Sequence, residues 1–323
     1  MSCELTVTTD IPSEQQFFLC GESGQYMNVF GTHVVAEASI PENFVRHAGC
    51  IMQGYLDNDN DGSCDDSLVC SKMVENSATL LIQASDSKFK DLVRKVQTPF
   101  VRRMVIEQHL FQFEIVPDSC TFESNRDVSC DNQFDATVEE VLHLITTAGV
   151  AFAYPDDFGE SFDSTVGRLL EDLNGDCGWG YTFDWTNPSS TACTGFYAYN
   201  DWTCGQRCLV AEGIYWALTS LLGAQDYSPR REDIDNEWLL YSADEMETNA
   251  PELTALLRNK DDFPWLPTSL PETTHTNRRL VSERSEKDVV SVNETRNTTS
   301  MISWVGYLGL ALICVSVIYR RSK

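Results

Sequence analysis

Two groups of side chains in this sequence have the types and spacing to hold a metal ion. The first begins on the stretch Thr137-Val138-Glu139-Glu140-Val141-Leu142-His143. On a helix, Glu139 and His143 stand at i and i+4, so a carboxylate and an imidazole share one face. Val138, Val141, Leu142 and Ile145 make the apolar face. Glu140, three residues before His143, offers a second carboxylate with the chemistry of a general base. Glu212 sits in AEGIYWALTSLLG, a segment otherwise so apolar that its carboxylate is expected to be buried. A buried carboxylate needs a partner, and a metal or a histidine would serve. Glu139, His143 and Glu212 are therefore the candidate ligands of a transition metal, with Glu140 the candidate base. The same residues have structural uses. Thr137-x-x-Glu140 reads as a capping box, acids in a first turn favour the helix dipole, and His143 can pair with Glu139 or Glu212 without any metal. A helical E-x-x-H is also half of a di-iron motif, but no second copy occurs.

The second group is Asp57-Asn58-Asp59-Asn60-Asp61-Gly62-Ser63-Cys64-Asp65, within a loop spanning residues 57–66. Carboxylates at alternate positions, followed by a glycine for the sharp turn, can curl around a hard cation. Asp57, Asp59 and Asp61 would be loop positions 1, 3 and 5, Ser63 would offer its carbonyl, and Asp65 stands at position 9. Position 12 is Leu68, where the full calcium loop has a bidentate glutamate. The expectation is an incomplete, extracellular-type calcium loop. The alternative is an acidic turn whose side chains cap their own backbone.

The elements that must position these groups read as follows. Residues 26–38 form a strand or hairpin around Gly31, and Pro41 opens an amphipathic helix with Phe44, Val45, Ala48, Ile51, Met52 and Tyr55 at helical spacing. Residues 78–84 read as a strand, 87–97 as a polar helix, and the second half of 100–116 as a strand. Helices are expected over 137–149, 162–173 and 206–222. No βαβ rhythm is evident, so the fold class is α+β, with mixed helices and a small sheet. Aromatic residues from Tyr154 to Trp202 read as disulfide-pinned core, or as the lining of a cleft for sugar or peptide.

Three stretches taken together, GTHVVAEASIPENFVRHAGCIMQGYLDNDNDG, TVEEVLHLIT and CLVAEGIYWALTSLLGAQ with the later LPTSLP, resemble a group of secreted or membrane-linked proteins distantly similar to zincin metallopeptidases. The resemblance covers about residues 25–270. It implies a zincin-like fold, zinc as the metal, and a metal-dependent peptidase or hydrolase. In those terms Glu140 matches the catalytic glutamate of H-E-x-x-H, His143 the second ligand and Glu212 a downstream ligand. The chain departs at Glu139, where zincins carry histidine. A carboxylate there makes the site harder, so an inactive pseudo-enzyme or a site for another divalent ion fits the same pattern.

Composition places this chemistry. The formal net charge is −26, which disfavours nucleic acid as a partner and suits cations. Of twelve cysteines, eleven precede residue 301 without a C-x-x-C pair, a pattern of disulfides in an oxidising compartment. Cys64 with Cys70, Cys120 with Cys130, and Cys177 with Cys193 are the close pairs. Residues 301–319 are uncharged and, at a helical rise of about 1.5 Å, span roughly 28 Å, the thickness of a bilayer core. The expected organisation is a folded acidic region 1–271, a flexible stalk 272–300 with glycosylation sequons at Asn293 and Asn297, a transmembrane helix 301–319 and a cytoplasmic tail 320–323. The folded region would face outward at the plasma membrane or in the secretory pathway, meeting an extracellular peptide or protein. No signal sequence is visible at Met1, so a tail-anchored protein with a cytosolic domain is the alternative. The competing functional reading is a non-enzymatic, calcium-stabilised adhesion or binding module.

Overall fold

The computed structural model describes residues 3, 5–19, 22–85, 105–117, 119, 134–177, 194–199 and 204–271. The expected helix 87–97, the stalk with Asn293 and Asn297, and the apolar stretch 301–319 lie outside these residues. Among the described residues no helix is long and apolar enough to cross a membrane. The fold is α+β. Four strands, β1 (Gly24–Val29), β2 (Thr32–Glu37), β3 (Thr79–Gln83) and β4 (Glu107–Phe111), lie in the order β1-β2-β3-β4. The first pair is antiparallel and the other two are parallel. The β1–β2 hairpin turns on Phe30 and Gly31, both at positive φ (50° and 88°), the backbone of a two-residue turn whose twist matches the strands.

β3 is buried along its whole length, as a strand covered on both faces must be. Leu80 and Ile82 enter the main core with Val34 and Ala36. Leu81 and Val35 face the other way, under Phe18 and Leu19 of the 3-10 turn Gln16–Leu19. The main core packs the sheet against α1 (Glu42–Leu56), α2 (Ser67–Glu75), α3 (Thr137–Ile145), α4 (Thr165–Asn174) and α5 (Gln206–Leu221). Three short helices follow: α6 (Ser228–Ile234), α7 (Ala243–Asn249) and α8 (Pro251–Leu257).

α3 and α5 are the helices that matter for the site. α3 runs into a buried π-helical turn, Thr146–Val150. There a Cβ built on Gly149 would come within 2.8 Å of both Met73 and Val69 of α2, so only glycine fits. The expected capping box at the start of α3 does not form. Thr137 lies inside the helix and its hydroxyl has no hydrogen-bond partner. Asp135 does the capping instead: its Oδ1 accepts from Thr137 N at 3.2 Å and from Val116 N at 3.1 Å. Its Oδ2 lies 2.6 Å from His47 Nε2, and both side chains are fully buried. α5 is buried from Cys208 to Ser220, so it is enclosed on every side.

Disulfides join Cys3 to Cys50, Cys64 to Cys70, and Cys204 to Cys208. The second was expected from spacing; the other two were not. Cys177 is also disulfide-bonded. Cys120, Cys130 and Cys193 lie outside the described residues.

Candidate metal centre

α3 and α5 bring Glu139, His143 and Glu212 together. One ligand atom from each lies within 4.8 Å of the other two. His143 and Glu212 are buried, and Glu139 is partly exposed. His143 Nε2 and Glu212 Oε2 stand 3.6 Å apart. That is beyond a good hydrogen bond, and neither atom has a hydrogen-bond partner among the described residues. Buried polar atoms without partners are rare in native structures.

The electrostatics are those of a site built to be neutralised from within. Burial pushes the His143 imidazole down to about 4, so the ring is neutral at physiological pH and Nε2 is free to act as a ligand when Nδ1 holds the proton. Burial, followed by the charges of Glu139, Glu237 and Glu140, raises Glu212 well above the usual carboxylate range. Tyr199 presents its phenol to that carboxylate and favours its charged form. Burial also raises Glu139, opposed by the nearby Arg230 guanidinium and by a hydrogen bond with Tyr215. Three carboxylates and a neutral imidazole in one low-dielectric place strongly favour a cation.

Around the cluster runs a polar network that spacing alone did not reveal. The Tyr215 hydroxyl accepts from Arg230 at 2.9 Å and from Gln225 Nε2 at 3.2 Å, while its ring meets His143 edge-on at 5.4 Å. Gln225 also donates to Thr219 Oγ1 at 2.9 Å and accepts from Arg230 Nε at 2.7 Å. Through Tyr215 this network reaches Glu139 by a hydrogen bond and His143 by a ring contact.

Glu140 lies outside the three-residue cluster. Its carboxylate accepts from Gln108 of β4. Burial and then the Glu139 charge hold it well above the ordinary value, which favours its neutral form. Nearby Glu114, in the 3-10 turn Gln112–Glu114 that follows β4, accepts from Phe111 N at 3.0 Å and is pushed up to about 7 by burial.

The Asp57 loop is partly as expected. Asp57, Asp59 and Asp61 converge, each giving an oxygen within 4.8 Å of the others. Asp57 accepts from Asp61 N at 2.9 Å and from Gly62 N at 3.0 Å, and Gly62 takes a φ of 88°. Asp65 turns away, to Lys260 at 3.2 Å and Asn58 N at 3.3 Å. Leu68 lies in α2, which Asp66 caps through Leu68 N and Val69 N. Of the described aromatics, Tyr197 and Tyr199 are core residues, and Tyr197 donates to Leu209 O at 2.5 Å. Trp179, Tyr181, Phe183, Trp185 and Trp202 lie outside the described residues.

No protein-family model matches the chain, and no curated protein or solved structure matches it.

Proposed function

We propose that Glu139, His143 and Glu212 form a divalent transition-metal site of the zinc-hydrolase type, and that the chain is a metal-dependent hydrolase acting on peptide bonds. The observation that carries this reading is the pair of partnerless buried atoms, His143 Nε2 and Glu212 Oε2, 3.6 Å apart. Two ligands each about 2.0–2.1 Å from a tetrahedral ion stand about 3.4 Å from one another, close to the separation seen here. Three protein ligands leave a fourth position, and the partly exposed Glu139 side is where solvent or substrate would reach it.

Zinc in such a site supplies an activated water and polarises a carbonyl. The chain supplies the rest. Glu140, fixed by Gln108 beside the cluster, is the group that would accept a proton once a bound cation offsets the burial and the Glu139 charge that raise it. Tyr215, Arg230 and Gln225 hold Glu139 in place. The resemblance to zincins agrees with these roles, and Glu139 in place of histidine makes the site harder than theirs. The partner is then an extracellular peptide, with residues 301–319 as the anchor and Asn293 and Asn297 as stalk glycosylation sites. The competing reading, a calcium-stabilised binding module, draws on the convergence of Asp57, Asp59 and Asp61.

Metal analysis of the purified full-length chain tests the proposal. The expected result is about one equivalent of zinc or a similar ion, lost in His143→Ala, kept in Asp59→Ala, and kept without turnover in Glu140→Gln. A wild-type chain that binds calcium but no transition metal would favour the binding module. A metal-loaded chain with no peptidase activity would leave the metal site standing and remove the hydrolase.

A further inference from the structure

Arg230 is held in an unusual way for an arginine of so acidic a chain. Its guanidinium lies over the Phe134 ring at 3.7 Å and near the Trp216 ring at 5.3 Å. Nε donates to Gln225 Oε1 at 2.7 Å, and one terminal nitrogen donates to the Tyr215 hydroxyl at 2.9 Å. Tyr215 in turn hydrogen-bonds to Glu139, so the guanidinium stands about two hydrogen-bond lengths, roughly 6 Å, from a ligand of the metal cluster. The other terminal nitrogen, with two N–H donors, has no partner among the described residues, and no described carboxylate pairs with Arg230. The side chain is partly exposed. Its aromatic neighbours and two fixed donors have already taken up the freedom an arginine would lose on binding an anion.

We propose that Arg230 is the recognition site for a carboxylate on the substrate, so that the substrate class is a short peptide whose C-terminal carboxylate lies near the bond presented to Glu139, His143 and Glu212. This rests on the metal-hydrolase reading for the reacting end, but not for the anion. A guanidinium fork matches a carboxylate, and a charge-assisted bond in a partly buried place is stronger than a neutral one. The −26 chain would otherwise repel such a ligand, so a fixed guanidinium near the cluster would favour acids.

The test titrates the full-length chain with N-acetyl-dialanine and with the amide of the same dipeptide, in the presence and absence of zinc. A hydrogen bond to a charged group predicts that the acid binds roughly ten- to a hundredfold more tightly than the amide. Arg230→Gln should erase that preference, and Arg230→Lys should restore only part of it, while thermal melting confirms that both variants are folded. Equal binding of acid and amide, or a preference that survives in Arg230→Gln, overturns the proposal. An acid preference that persists without zinc uptake supports the Arg230 site while removing the hydrolase reading.

Discussion

His143 Nε2 and Glu212 Oε2 face each other at 3.6 Å across the contact between α3 and α5, and neither has a hydrogen-bond partner among the described residues. If the pair were merely structural, removing the Glu212 charge would weaken the fold. If it is a ligand pair, Glu212→Gln relieves a buried carboxylate and leaves metal-free stability unchanged or higher, while zinc affinity falls about a hundredfold, the scale of losing one well-placed ligand interaction. Urea unfolding and a zinc titration on the same variant read the two effects separately. A fall in stability with unchanged zinc affinity would sink the ligand assignment.

The stabilising effect of zinc should grow with pH. Burial lowers His143 to about 4, so its neutral form supports the fold above 6.5, and that support is lost as pH falls from 6.5 through 4. Burial raises Glu114 to about 7 and raises Glu140 and Glu212 further in the same direction. Their neutral forms support the fold at low pH, and that support is lost as pH rises from 4.5 through the folded values. A cation held by Glu139, His143 and Glu212 reverses the Glu212 share of the second loss, because it binds that carboxylate in its charged form. Melting curves with and without zinc at pH 5, 6, 7 and 8 should diverge progressively; a constant difference would count against carboxylate ligands.

His47→Ala should destabilise the protein by about 3–5 kcal/mol, the usual cost of removing one partner from a buried pair. Asp135 would keep its two backbone donors but lose the fully buried imidazole at 2.6 Å. Because Asp135 starts α3, zinc affinity should fall together with stability. Denaturant unfolding measures the first and metal titration the second; a cost under about 1 kcal/mol, the range of exposed ion pairs, would show that the pair carries little.

The Asp57 loop separates into a structural and a cation-binding part. Asp57→Ala should cost about 1–2 kcal/mol with no calcium present, because Gly62 N loses its acceptor and Asp61 N keeps only Asp59 of its two. Asp59→Ala should leave calcium-free melting nearly unchanged and abolish any calcium-induced rise. If wild-type melting ignores millimolar calcium, the loop is a self-capped turn and nothing more.

Much of the site was legible because one physical signal, a charge inside an apolar helix, survives without knowledge of the fold. Glu212 stood out for that reason, and the i, i+4 spacing placed Glu139 and His143 on one face. Arg230 did not stand out: in SPRREDI it reads as a polar surface helix, and only the tertiary approach of Phe134 and Trp216 distinguishes it. Tyr215 looked like core, and its hydroxyl became meaningful only beside Glu139. The start of α3 was misread because Asp135, two residues earlier than Thr137, competes better for the free N–H groups. The hairpin and β3 were readable from turn chemistry and β-branched or aliphatic runs. The pairing of Cys3 with Cys50, distant in sequence, was not.

Gly149 gives the molecule a mechanical property. The π turn that ends α3 is seated against α2 with no clearance for even one methyl group. The helix carrying Glu139 and His143 therefore has a hard shoulder at one end, whereas Glu212 is carried by α5. Gly149→Ala would press on that shoulder and displace two ligands together along the α3 axis, leaving the third behind. The span of the cluster is thus a gauge of how tightly α2 holds its neighbour, and a spectroscopic metal such as cobalt bound there would register, as a change in its absorption, a steric event two turns of helix away.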